Sequence, residues 1–255
     1  MKEQSIVLCE GETDQIILSY YFEKLFHYHY ASELPKILNV NPQAEFVRLY
    51  MRSEDKDEVV IWAIGGRNLF RDALNEVLEA NMTNAESVYS KVLVILDHDS
   101  DRETKQIWDQ LDGVLNSFGI DATFSNDQWT TVEQKIEFGD PPIPLKLLGL
   151  AIPQDEDGAL ETFLLKALSE QEGNKYLAEQ SKKFVHDLLE HQEELNSYLS
   201  KKGLQVKAPL AVFFAIASPH HIFREMKAIL KSVSWEKYKT IQTGFKLLDE
   251  AFAYK

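Results

Sequence analysis

Two acidic turns, each placed directly after an apolar run, constrain this chain more than any other feature. The first is Glu10-Gly11-Glu12-Thr13-Asp14 and the second is Asp97-His98-Asp99. Ser5-Ile6-Val7-Leu8-Cys9 reads as a buried strand and Thr13 to Phe26 as a helix, so Glu10 and Asp14 fall at a strand-to-helix corner. Val92-Leu93-Val94-Ile95-Leu96 is a second apolar run rich in β-branched residues, as a strand covered on both faces should be. It delivers Asp97 and Asp99 at its carboxyl end, the edge at which open α/β sheets bind ligands. Acidic groups at equivalent strand ends can share a divalent cation.

The rest of the pattern alternates. Val59 to Ile64 reads as another buried strand that ends in Gly65-Gly66, followed by a helical pattern through Leu69, Phe70, Leu74 and Val77. A helix over about 104–118, closed by Gly119, follows the strand that carries Asp97. Strand, helix, strand, helix is the order of an α/β fold with a mostly parallel sheet flanked by helices. Asn39 to Asp57, with Pro42 and the charged stretch Arg52 to Glu58, reads as a loop or insertion. Short strands are expected at Asp121 to Phe124 and Lys146 to Ile152, with Pro141, Pro142 and Pro144 in a loop between them. Glu161 opens an apolar helix through Phe163 and Leu168. From Ser169 onward the periodicity is helical, in segments around Leu188 to Leu199, Leu210 to Ala217 and Ile222 to Val233, with a last helix ending near Phe252. The expected organisation is an α/β domain over 1–168 and a helical C-terminal extension over 169–255 packed on it.

Composition narrows the chemistry. With 255 residues, 44% of them apolar, the chain can bury a sizeable core. The lone Cys9 sits in the first strand without a cysteine partner, and no basic-apolar leader precedes it, which fits a reducing cytoplasm. No apolar run approaches the roughly 18–20 residues of a membrane helix, so no membrane partner is expected. The net charge of −14 argues against a broad basic nucleic-acid footprint. Any nucleic-acid substrate must then be held by bound metal, local basic residues or a partner.

Cys9 to Asp14 on a strand-to-helix turn, the glycine pair at an intervening strand end, and Ile95-Leu96-Asp97-His98-Asp99 after a later strand together resemble the Toprim domain of primases, topoisomerases and OLD-family nucleases. The resemblance is strong over Ser5 to Asp101 and looser beyond. There, Gly158-Ala159-Leu160-Glu161 is similar to the Leu-Glu-Asp element of small Toprim-related proteins, with Thr162 in place of the usual acid. Lys207-Ala208-Pro209-Leu210-Ala211 resembles their lysine-led helix. The nearest likeness is to small stand-alone Toprim-like proteins of the DUF3226 type with an OLD-like site. It implies a Toprim-like, Rossmann-like fold and a nuclease dependent on Mg2+ or Mn2+, with phage defence as a setting.

The side chains suit that chemistry. Magnesium takes a few carboxylates plus waters, and it clamps phosphate oxygens during in-line displacement. Asp97 and Asp99 would supply the first ligands, with Glu161, Asp14 and Glu10 as further ones; Glu10 can also serve as general base or acid. Lys207 is the basic candidate for stabilising charge on phosphate, and Gly11, Gly65 and Gly66 let backbone approach phosphate. Simpler roles stand beside these: Asp14 as a hydrogen-bond acceptor in its turn, Glu161 as a helix N-terminal charge, Lys207 as a solvated side chain, and Gly65-Gly66 as a tight turn. His27-Tyr28-His29-Tyr30 and His220-His221 lack the companion ligands of a zinc centre. Trp129 and Trp235 read as packing.

Three function classes follow. The first is metal-dependent phosphodiester hydrolysis or phosphoryl transfer on DNA or RNA. The second is an effector or binding subunit that works beside a separate ATPase, since the chain has no Gly-x-x-x-x-Gly-Lys-Ser/Thr loop of its own. The third is a HAD-like phosphatase, but the aspartate pair is not on the first strand and residue 101 is Asp where that family has a small Thr or Val. The C-terminal helices leave a homo-oligomer open.

Overall fold

The computed structural model describes residues 3–31, 46–53, 56–83, 88–124, 128–135, 141–191, 199–219 and 226–253. The chain divides into two compact units, one of 1–151 with 247–255 and one of 152–246. The division falls after Ala151, whereas the sequence reading ends its first domain at Leu168. The helix carrying Glu161 therefore belongs to the second unit.

The α/β class expected from the sequence is the one observed: a mixed seven-stranded sheet flanked by helices, with a helical C-terminal region. Its strands are β1 (Gln4–Cys9), β2 (Tyr28–Ala31), β3 (Phe46–Arg52), β4 (Glu58–Ala63), β5 (Tyr89–Asp97), β6 (Thr130–Gln134) and β7 (Ile143–Ile152), in the order β2-β3-β4-β1-β5-β7-β6. The centre is parallel: β1 lies between β4 and β5 and runs with both. The β2-β3, β3-β4 and β6-β7 pairs are antiparallel. Cys9 is level with Ala63 on one side and Ile95 on the other, so all three central strands end at one edge.

Central position explains the apolar runs. Ile6 and Leu8 share one core cluster with Val60, Trp62, Val92 and Val94, and onto it pack Leu74, Val77 and Leu78 of α2 (Phe70–Thr83) and Ile107, Leu111 and Leu115 of α3 (Asp101–Ser117). Helix α1 (Glu12–Leu25) packs along β4, and Gln15 on it donates to the Ile61 carbonyl at 3.0 Å. Its Phe22 joins Phe26, Tyr28 and Phe252 in an aromatic group with ring centroids 4.8–6.4 Å apart.

The expected loop over 39–57 contains strand β3 from Phe46 onward; residues 39–45 lie outside the described residues. Of the charges that suggested a loop, Arg52 and Asp57 pair with each other. Arg52 is buried, donates to the Phe252 carbonyl at 2.8 Å, pairs with Asp57 at 3.1 Å and lies over the Tyr28 ring. Asp121 to Phe124 is irregular and not a strand, because the Phe124 amide donates to the Asp112 carboxylate at 2.9 Å. Edge strands β2 and β6 went unread.

The second unit contains α4 (Leu160–Leu168), α5 (Glu172–Leu189), α6 (Lys202–Ala217), α7 (Met226–Lys231) and α8 (Lys239–Gly244). Helix α4 packs against α5, α6 and α8. Phe163 sets its ring 5.7 Å from that of Phe245, and Trp235 is fully buried with its indole N–H on the Leu230 carbonyl, the packing role expected of it. The last helix, α9 (Lys246–Phe252), carries Phe252 into the first unit's aromatic group. Of the helical segments read from Ser169 onward, 192–198 and 220–225 lie outside the described residues, and so do His220 and His221.

Candidate functional site

Parallel register builds the corner. One residue beyond Cys9 is Glu10, two beyond Ile95 is Asp97, and Ala63 leads through Ile64 to Gly65-Gly66. The turns are stitched together, with the Ile64 amide donating to the Cys9 carbonyl at 2.9 Å and the Gly65 amide to that of Glu10 at 3.1 Å. Gly65 (φ 89°) and Gly66 (φ 141°) both take backbone conformations that disfavour other residues. A Cβ at Gly66 would meet nothing within 4 Å, so backbone conformation and not crowding calls for glycine there.

Each acid has a defined place. Asp14, in the first turn of α1, accepts from the Gly11 amide at 2.7 Å, which fixes the turn that presents Glu10. Asp97 ends β5, and Asp99 precedes Ser100, whose hydroxyl caps α3 by accepting from the Glu103 amide. His98 lies 3.0 Å from Asp101. Burial first, and then the charges of Asp14, Asp97 and Glu10, push the Cys9 thiol well above its usual range. Three of the acids named from the sequence thus act together on one buried atom.

The residue that sequence reasoning missed is Arg67. Its side chain is 23% exposed, and its guanidinium contacts Asp99 at 2.5 Å, Glu103 at 3.6 Å and Glu10 at 3.7 Å and donates to the Asp97 carbonyl at 3.3 Å. The sequence offered only its place as the first basic residue after the glycine pair; that its strand end lies beside that of Glu10 is seen in the fold.

Glu161 and Lys207 belong to the second unit, where they face each other. Glu161, in the first turn of α4, has a side chain only 7% exposed, and Lys207 of α6 reaches it at 3.1 Å while remaining 51% exposed. The lysine proposed for phosphate already has a carboxylate partner.

The acids of the corner match a hard divalent cation in kind, being oxygen donors only. They do not match it in arrangement. Among the described residues no three His, Cys, Asp or Glu side chains are gathered so as to hold a metal ion, and the carboxylates of Glu10 and Asp99 both contact one guanidinium. Among the same residues, no helix is long and apolar enough to cross a membrane.

A solved structure of a hypothetical protein from Pyrococcus horikoshii OT3 is similar to this chain with a TM-score of 0.48 at 15% identity, covering 92% of this chain and 98% of the other. A protein with unknown function from Thermoplasma acidophilum gives 0.27 at 12% identity, covering 77% and 92%. No curated protein sequence matches. The family described as protein of unknown function (DUF3226) matches residues 4–245, nearly the whole chain, and the chain belongs to that family.

Proposed function

We propose that this protein hydrolyses phosphodiester bonds in nucleic acid with Mg2+ or Mn2+, as a Toprim-type nuclease, with phage defence as a setting. The observation that supports this most is the convergence of Glu10, Asp97 and Asp99 on one sheet edge beside the glycine pair. Asp97 and Asp99 would hold the cation, and Glu10, on the neighbouring strand end, would hold it with them or take a proton from the attacking water. A divalent cation, when bound, supplies charge stabilisation to phosphate oxygens. Asp14 positions Glu10 through the Gly11 amide. Glu161 and Lys207 enter the reading through resemblance alone, because the geometry gives them to each other.

A second reading, an effector subunit activated by a partner such as a separate ATPase, is favoured by the guanidinium that occupies the acid corner. The charge of −14 repels a phosphate backbone at long range and fits delivery of substrate by another chain.

The test is cleavage of supercoiled plasmid, single-stranded DNA and structured RNA by wild type and Asp97→Asn with Mg2+, Mn2+ or EDTA. Cleavage that needs the metal and disappears in the variant supports the nuclease. Absence of cleavage on all three substrates moves the reading to the partner-activated subunit, and cleavage undiminished in Asp97→Asn sinks the site.

A further inference from the structure

We infer that Arg67 is the resident cation of the acid corner and competes directly with a divalent ion for the same carboxylates, so that this site is closed to metal until Arg67 leaves. The inference rests on the metal reading above and explains why the acids match a metal in kind but not in arrangement.

Arg67 is placed by the backbone, not by chance reach. It follows Gly66 at φ 141° and opens the short 3-10 turn Arg67–Leu69 that leads into α2. From there one guanidinium addresses all three parts of the corner: the β1 side through Glu10, the β5 end through the Asp97 carbonyl, and the start of α3 through Asp99 and Glu103. A surface arginine with a single partner would lose little on leaving. This one contacts three carboxylates and is largely shielded, and its removal leaves their mutual repulsion uncompensated.

Arginine stays charged at any accessible pH, so deprotonation cannot release it. Release requires another cation for the carboxylates or another anion for the guanidinium. Its planar fork fits a phosphate in two parallel hydrogen bonds. An anionic substrate therefore favours the open corner from the arginine's side, while a cation favours it from the carboxylates' side. Metal alone must meet the full competition of the arginine, and weak metal binding by the free protein follows.

The experiment is Mn2+ titration by calorimetry of the full chain as wild type, Arg67→Gln, Arg67→Lys and Asp97→Asn, with circular dichroism to establish folding. Loss of a unit charge within 4 Å of two or three carboxylates should tighten Mn2+ binding by on the order of ten-fold or more in Arg67→Gln. Arg67→Lys keeps the charge and should stay within a few-fold of wild type; it also serves as the folded comparison if Arg67→Gln is unstable. Asp97→Asn should bind much more weakly, which assigns the measured ion to this corner. Equal affinity in wild type and Arg67→Gln, or weaker binding in Arg67→Gln, overturns the competition while leaving the metal reading intact. Binding that persists unchanged in Asp97→Asn places the ion elsewhere and overturns it as well. If neither wild type nor Arg67→Gln binds Mn2+, the metal reading fails and the inference falls with it.

Discussion

Replacing Gly66 by alanine tests the turn from which Arg67 projects. At φ 141° and ψ 150°, Gly66 lies in a region that residues with a Cβ essentially do not populate, at a cost of about 1–3 kcal/mol. Beyond its own chain neighbours, no atom lies within 4 Å of the added methyl, so there is no clash with the rest of the fold and no contact to gain there. Restricting the unfolded chain returns about 0.4–1 kcal/mol. The net expectation is destabilisation by about 1–2 kcal/mol, or about 2–8 °C in Tm for a chain of this size. Gly113 provides the matched comparison in the same unit. It is an exposed residue inside α3, and a Cβ there also meets nothing within 4 Å. Gly113→Ala should stabilise by about 0.5–1 kcal/mol, because glycine is a poor helix residue. Urea unfolding of both variants, followed by circular dichroism, should therefore move the midpoint in opposite directions. A Gly66→Ala protein as stable as wild type, or stabilised like Gly113→Ala, would refute the reasoning. The β4-to-α2 turn would then have a different backbone, and the placement of Arg67 would lose its support.

Other expectations are as direct. Arg52→Ala takes from the largely buried Asp57 its arginine and from the Phe252 carbonyl a donor at 2.8 Å, and should cost about 3–5 kcal/mol in urea unfolding; a loss below 1 kcal/mol (on the scale of a surface pair) would mean that α9 is not held there. Burial and then the charges of Asp14, Asp97 and Glu10 raise the Cys9 thiol, so it should resist a thiol reagent at pH 8 in the folded protein and react fully in urea; rapid native labelling would contradict the buried first strand. Burial alone would raise the Glu170 carboxyl, but hydrogen bonds from Thr240 and Lys239 outweigh it and hold the group below the usual 4.5. A depressed acid contributes stability above that value and loses it as pH falls through the lower, folded one. The Lys239 and Thr240 amide NMR signals should therefore titrate below pH 4.5 in wild type and stay flat in Glu170→Gln, and a midpoint above 4.5 would reverse the sign.

How much could be read in advance depended on burial and neighbourhood. Strands β1, β4 and β5 were legible because each is covered on both faces and so reads as an unbroken apolar run. Strands β2 and β6 were not, because each mixes buried with exposed positions, and β6 has Val132 as its one aliphatic residue. Gln134 ends β6 fully buried, and that burial is satisfied by hydrogen bonds to the Leu78 carbonyl and from Asn81, which no local pattern announces. Strand β3 was hidden by Arg48 and by Arg52, whose charge is compensated by residues five and two hundred positions away. The acids of the site could be named because a carboxylate just past an apolar run is visible in one dimension. Arg67 could not be given its role, because its reach to Asp99 and Glu103 depends on β1 lying between β4 and β5, and strand order is not written in any local stretch.

That order also argues against a purely structural account of the corner. Two adjacent strand ends, those of β1 and β5, bring together Glu10, Asp97 and Asp99, and two helix starts add Asp14 and Glu103. Acids at helix N-termini are favourable, so Asp14 and Glu103 are explained locally. Asp14 is also used, on the Gly11 amide. Glu10 and Asp99 have no such local explanation: both lie outside the helices, in a chain already at −14, and both draw on the same guanidinium. A neutral residue at either position would remove like-charge repulsion, but it would also remove a contact with the Arg67 guanidinium. Like charges gathered at the strand ends, the edge where open α/β sheets in general bind ligands, are the kind of local choice a functional site would account for. The pairing of several carboxylates with the Arg67 guanidinium is then the chemistry to be explained, and the proposed exchange of that cation for a metal ion would account for it.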